Sequence, residues 1–141
     1  IDAEGYLKIT GRVKDMFKSG KGEYIVPSPI ENMLAVNPII EQVCVAGSGL
    51  PQPLALIVLS DIGKNMEKQL LIESLETTLK RVNPSFKNYE AVKNAIVVKT
   101  SWTVENNMLT PTMKIKRNIV EAHYKAQMEQ WAELTEAIIF E

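Results

Sequence analysis

The sequence is short of the groups most used in metal, redox and nucleophilic chemistry. It has one cysteine, Cys44, and one histidine, His123. A lone cysteine excludes an internal disulfide and fits a reducing compartment. Cys44 lies inside an apolar run and reads as a small core residue. His123 falls on a polar helix face with no companion for zinc binding or a triad. No cluster of histidine, cysteine and carboxylate suggests another metal. The net charge of −1 argues against a general nucleic-acid binder. No apolar run approaches the length of a membrane span. There is no internal repeat, no low-complexity segment, no P-loop spacing and no Gly-x-Gly-x-x-Gly in a strand–helix frame. Residue 1 is Ile rather than Met, and Ile1-Asp-Ala-Glu-Gly5 reads as the middle of something longer. The expectation is a segment cut from a larger protein, whose function needs parts outside it.

What is present begins with a basic stretch rich in glycine. Arg12, Lys14, Lys18 and Lys21 are interleaved with Gly11, Gly20 and Gly22. Glycine lets a backbone turn sharply or approach a ligand closely, and the cations suit an anion such as a phosphate. On its own such a loop is more often a solvated turn. Ser28 stands three residues before Glu31, with Pro29 between them. That spacing is a capping box with proline at the first helical position, and it predicts a helix from Pro29 to about Val36, ending before Asn37-Pro38.

The remaining elements follow from periodicity. Asp2-Ala-Glu-Gly5 is turn chemistry, and Tyr6–Thr10 alternates as a strand that pairs upstream or with Tyr24–Val26. Glu41–Ala46 and the continuous apolar run Leu54–Leu59 form an antiparallel pair, the second buried on both faces. Leu71, Leu75, Leu79 and Val82 line one face of a helix over 66–82. A short helical piece is expected around Tyr89–Lys93, and a strand at Ala95–Val98. A last helix runs from about Lys116 or Arg117 to Leu134 or beyond, with Val120, Tyr124, Met128, Trp131 and Leu134 on one stripe. The result is one α+β domain, a small mixed sheet with an N-terminal hairpin packed against about three helices.

A second chemical stretch lies between the last strand and the last helix. Asn106-Asn107 is turn-prone, Thr110-Pro-Thr112 reads as extended, and Lys114, Lys116 and Arg117 follow. By themselves these residues describe a basic loop leading into a helix, with Lys116, Arg117 and Lys21 as solvated surface cations.

Together the two stretches resemble a known family. Gly11-Arg-Val-Lys-Asp15 with Tyr24-Ile-Val-Pro-Ser-Pro-Ile-Glu31, and later Leu109-Thr-Pro-Thr-Met-Lys-Ile-Lys-Arg117, are similar to motifs in the C-terminal domain of adenylate-forming enzymes. This superfamily includes acyl-CoA synthetases, the adenylation domains of nonribosomal peptide synthetases and firefly luciferase. Asp15-Met-Phe-Lys-Ser19, Trp102-Thr-Val-Glu-Asn106 and Leu109-Thr-Pro-Thr112 most resemble long-chain fatty acyl-CoA synthetases. The resemblance covers essentially the whole chain, and it rests on two motifs in the right order at the right separation.

The resemblance implies an ATP-dependent ligase that activates a fatty acid as acyl-adenylate and passes it to CoA. It makes residues 1–13 the tail of a large N-terminal domain and residues 14–141 a lid that rotates between two poses. Lys114 matches the adenylation lysine, Arg12 the arginine on the ATP ribose, and Lys14 the hinge. Lys18, Ser19, Gly20 and Gly22 match a loop that faces the active site in the thioester-forming pose. Magnesium would be held with ATP by the N-terminal domain. The resemblance also implies a cytoplasmic parent enzyme with room for peripheral membrane association, and a fragment inactive alone. The sequence departs from the family at Met113, where many members carry glycine, and in the loop 18–23, one residue longer than in luciferase-like members. Two alternatives stay open. One delivers the acyl group to a carrier protein or reductase; the other is a non-catalytic α+β module that binds anions through its two basic loops.

Overall fold

The computed structural model describes residues 16–87, 90–112 and 114–141. Arg12, Lys14, the Tyr6–Thr10 strand and Met113 lie outside these residues.

The described chain opens on a hairpin, β1 (Phe17–Lys18) against β2 (Tyr24–Ile25), antiparallel with Phe17 opposite Ile25. Helix α1 (Pro27–Leu34) follows, then β3 (Ile40–Ala46), β4 (Leu54–Leu59) and one turn of helix, α2 (Asp61–Lys64). Helix α3 (Lys68–Val82) continues into a 3-10 turn at Asn83–Ser85. Strand β5 (Asn94–Val97), helix α4 (Arg117–Ala132) and strand β6 (Ile138–Phe140) complete the order.

The main sheet runs β3-β4-β5-β6, with β3/β4 antiparallel and the other two pairs parallel. Successive strand residues point to opposite faces, and here both faces are covered. Val43, Val45, Ala55, Ile57, Ala95 and Val97 join Ile30 and Leu34 of α1 and Leu71, Leu75, Leu79 and Val82 of α3 in one core. Cys44, Ala46, Leu54, Leu56, Val58 and Ile96 join Trp102, Val120, Tyr124, Met128 and Trp131 in the other. This is why Leu54–Leu59 is apolar throughout instead of alternating. Cys44 is fully buried, and burial pushes its thiol up to about 12 despite the opposing influence of Arg117. No described helix is long and apolar enough to cross a membrane.

Several expectations need correction. Helix α1 begins at Pro27, not Pro29, and Val26 at its N-cap has no side-chain cap. The capping box does not form: Ser28 lies inside the helix and not at its N-cap, and the Glu31 carboxylate is taken by partners outside the helix, described below. Of the helical piece expected around Tyr89–Lys93, Glu90 lies in a 3-10 turn, Tyr89 is outside the described residues, and the segment 91–93 is not helical. The Asn83 side chain bonds both the N–H and the C=O of Val92, and the Lys93 N–H donates to the Pro53 carbonyl, which draws the chain out toward β5. Strand β6 was not anticipated; its three residues lie beside β5 at the sheet edge. Leu134 lies beyond α4 and is 40% exposed, so the buried stripe ends at Trp131.

Candidate active-site loops

The first loop joins β1 to β2. Ser19 is 4% exposed, and its N–H donates to the Glu23 carbonyl at 2.8 Å. Its Oγ accepts from the N–H groups of Lys21 and Glu23 at 3.3 and 3.2 Å. Gly22 takes a φ of +87°, a conformation open to glycine at little cost. The loop then docks on the β3–β4 connection. Gly20 N–H donates to Leu50 O at 2.8 Å, and Gly49 N–H donates to Lys18 O at 2.9 Å. A Cβ on Gly20 would stand 2.6 Å from the Gly49 carbonyl oxygen. The glycine is therefore needed for a close approach of two backbones. Lys18 and Lys21 are exposed, and the Lys18 ammonium lies 5.9 Å from the Tyr24 ring centroid.

The second loop runs from β5 to α4. The Gln42 side-chain amide of β3 grips Trp102, accepting from its N–H at 3.3 Å and donating to its C=O at 3.2 Å. Thr103 and Asn106 cap one another, each side chain accepting from the other's N–H at 3.1 and 3.0 Å. Asn107 turns the chain at φ 69°. Leu109 and Ile115 then face each other as an antiparallel bridge. Between them, the Thr110 N–H donates to Lys114 O at 2.7 Å, and the Thr110 Oγ1 accepts the Lys114 N–H at 3.1 Å. Pro111-Thr112 is thus a turn tip and not the extended piece expected. Lys114 is exposed at the end of this tightly bonded turn. Lys116 is half-buried, its ammonium 2.6 Å from Asn107 Oδ1.

Arg117 is not the solvated cation expected. Its side chain is only 16% exposed, and it forms a bidentate pair with Glu31, itself 14% exposed. Arg117 donates through Nη1 to Glu31 Oε2 at 2.5 Å and through Nη2 to Glu31 Oε1 at 3.0 Å. Nη1 also donates to the Val45 carbonyl at 3.1 Å, and Glu31 Oε2 accepts the Val45 N–H at 2.7 Å. The pair therefore joins α1, β3 and the first residue of α4. Nearby, burial raises the Glu121 carboxyl above its usual range, with Arg117 and the Ser48 backbone acting against it. Glu121, Lys125, Asn118, Ser48 and Phe17 help line a cleft of about 350 Å³ beside the first loop.

The fold thus brings Glu31 of the first stretch onto Arg117 of the second, which sequence reasoning missed. A signal was available. Arg117 is the first residue of a helix with no acidic residue in its first turn and no side-chain cap. A cation there opposes the helix dipole, so an acidic partner from elsewhere is called for. No group of three His, Cys, Asp or Glu able to hold a metal ion occurs among the described residues.

Residues 14–135 match the family described as AMP-binding enzyme C-terminal domain. The long-chain-fatty-acid–CoA ligase FadD15 of Mycobacterium tuberculosis is 26% identical over 146 residues, 92% of this chain and 24% of that protein. The long-chain-fatty-acid–CoA ligase 5 of Rattus norvegicus is 32% identical over 152 residues, 94% of this chain and 22% of that one. Among solved structures, the adenylation domain of the carboxylate reductase from Mycobacterium chelonae superposes with a TM-score of 0.68 at 26% identity. That match covers 85% of this chain and 20% of the reductase chain. The chain therefore spans about a quarter, or less, of the curated relatives it matches. With two basic loops on a mixed sheet and a family match over most of its length, this chain belongs to the C-terminal domain family of AMP-binding, adenylate-forming enzymes.

Proposed function

We propose that this chain is the lid of an ATP-dependent ligase that converts a fatty acid to its acyl-CoA through an acyl-adenylate. In this reading residues 1–13 end the large domain, Lys14 is the hinge and the rest moves as the lid. The observation that carries it is Lys114, an exposed ammonium at the end of a turn whose backbone is held on both sides by Thr110. Its place in the Leu109–Arg117 motif matches the family's adenylation lysine.

In the first half-reaction the fatty-acid carboxylate attacks the α-phosphorus of ATP, a P–O bond forms, and pyrophosphate leaves with the electron pair of the broken P–O bond. Lys114 would bridge the carboxylate oxygen and the phosphate as charge builds in the transition state. A fixed point charge in a closed site serves there by position and electrostatics. Arg12 would hold the ribose, and magnesium would be bound with the nucleotide by the large domain. In the second half-reaction the lid turns about Lys14 and presents the loop Lys18–Gly22. The CoA thiol, losing its proton, attacks the acyl carbonyl, and AMP departs. The loop's rigid docking on Gly49 and Leu50 supports a role in holding one wall of the thiol's approach. The lid alone would have no activity, because the other substrate surfaces belong to the large domain.

The curated relatives named as long-chain fatty acid CoA ligases support the acyl chain and CoA. A second reading keeps the adenylation and delivers the acyl group to a carrier-protein thiol for reduction; the carboxylate reductase neighbour favours it. The test uses the full-length enzyme with Lys114→Ala. Carboxylate-dependent exchange of pyrophosphate into ATP should fall by about a hundredfold or more, while transfer from supplied acyl-adenylate to CoA persists. Survival of exchange would refute the role of Lys114. Transfer to a carrier protein but not to CoA would select the second reading.

A further inference from the structure

The two loops are far apart in sequence and are built differently, yet one contact joins the stretches that carry them. Glu31 lies in the helix that follows the first loop, and Arg117 ends the second. Their pair is bidentate, and both partners also bond the backbone of Val45 on β3. Two charge-assisted bonds within the pair and two to Val45 thus meet at one point of the sheet, a geometry that fixes orientation as well as distance.

The local sequence makes this contact more than incidental. Helix α4 starts at Arg117 with no side-chain cap and no acidic residue in its first turn. A helix start normally draws stability from a capping side chain or an acidic residue. Here it has a cation at the wrong end of the dipole, and the Glu31 carboxylate offsets that charge from another helix. Helix α1 also lacks a side-chain cap, because Val26 stands at its N-cap and Ser28 lies inside the helix. Two helices go uncapped and one bidentate pair forms. Departures from local rules with a shared compensation are expected at functional or strained positions.

The pair also sits at a particular place in the chain. Lys114 precedes Arg117 by three residues, and its turn is closed by the Leu109–Ile115 bridge and by the Lys116 N–H bond to Met108 O. The C-terminal side of that turn is anchored to the sheet through Arg117. The first loop has anchors of its own, the backbone bonds to Gly49 and Leu50.

We propose that Glu31 and Arg117 are positioning residues for Lys114: the pair holds the lysine-bearing turn against the sheet in the adenylation pose and leaves the thioester-forming loop to its separate anchors. This rests on the role given to Lys114 above. It assigns to Glu31 a task that the family match does not state, and it makes the two half-reactions separable by mutation inside one rigid domain.

The test places Glu31→Gln, Arg117→Lys and Lys114→Ala singly in the full-length enzyme and assays both half-reactions. Glu31→Gln keeps shape and removes charge; Arg117→Lys keeps charge and removes the fork. For both, kcat of pyrophosphate exchange should fall by about ten- to a hundredfold, the scale of a displaced reacting group, with KM for ATP unchanged. Transfer from supplied acyl-adenylate should stay near the wild-type rate. Amide hydrogen exchange at 115–120 should quicken in both variants, while that at Gly20 and Gly22 stays as it was. Equal loss of both half-reactions, or loss of neither, would overturn the proposal, because a merely structural pair lowers them together. Should Glu31→Gln fail to fold, Arg117→Lys decides by the same criteria. If Lys114→Ala retains exchange, the reading of Lys114 has failed, and with it this one. If Lys114→Ala loses exchange while the pair variants do not, only the positioning role has failed.

Discussion

The loop Lys18–Glu23 and the loop Thr103–Lys116 present basic residues from the same small domain, yet they are held by opposite means. The first is held by backbone. Two N–H···O bonds tie it to Gly49 and Leu50, and Gly20 admits a contact that no side chain could share. The second is tied to the rest of the domain by side chains: Gln42 grips Trp102 and Arg117 anchors its end, while Thr103, Asn106 and Thr110 add side-chain bonds to the loop's own backbone bonds. A backbone-held loop tolerates little change in its glycines and much change in its exposed lysines. A side-chain-held loop can be loosened stepwise. The contrast would suit the lid proposed above, in which each loop serves a different half-reaction.

The comparison can be broken in order of expected effect. Arg117→Ala leaves Glu31 largely buried without its counter-charge, a change that costs about 3–5 kcal/mol. Both tryptophans lie in the core, Trp102 beside α4 and Trp131 on it, so urea unfolding followed by tryptophan fluorescence reads this loss directly. Gly20→Ala drives a Cβ toward the Gly49 carbonyl oxygen and should cost about 1–3 kcal/mol, the usual scale of overpacking. Its urea midpoint should drop less than that of Arg117→Ala. Ser19→Ala removes the acceptor of two N–H groups and should cost about 1 kcal/mol. Thr110→Val removes the acceptor of the Lys114 N–H at an exposed turn, so its effect on stability should be the smaller, visible as faster amide exchange at Lys114.

A separate effect comes from pH. The Cys44 thiol is pushed up to about 12 by burial, above the value of 9.0 for a free thiol. Its contribution to stability is full below pH 9 and is lost as the pH rises from there toward 12, because only the unfolded chain then releases the proton. Cys44→Ala should flatten that alkaline decline in a series of urea midpoints. At neutral pH, Cys44 should resist thiol reagents until the domain opens.

Much of the fold was legible in the sequence because periodicity reports burial directly. Leu71, Leu75, Leu79 and Val82 of α3 and Val120, Tyr124, Met128 and Trp131 of α4 are all buried. The unbroken run Leu54–Leu59 announced a strand covered on both faces. The failures share one cause, a distant partner that outbids a local preference. Ser28 and Glu31 have the spacing of a capping box, but Arg117 offers Glu31 a bidentate charged pair, stronger than a cap. Val92 has no visible reason to be extended until Asn83 is found beside it. Strand β6 is too short to signal itself, and its identity comes from the open edge of β5. Within the site, the exposure of Lys114 could be anticipated from a polar turn. The burial of Arg117 could not be read from three basic residues in close succession. Only its place at the start of an uncapped helix sets it apart.

The most direct test of the division between the loops measures both half-reactions in the full-length enzyme for Lys114→Ala and Gly20→Ala side by side. The expected result is a crossed pattern. Lys114→Ala loses pyrophosphate exchange and keeps acyl transfer to CoA; Gly20→Ala keeps exchange and loses transfer. If both variants lose the same half-reaction, the two loops do not serve separate steps and the lid reading is contradicted.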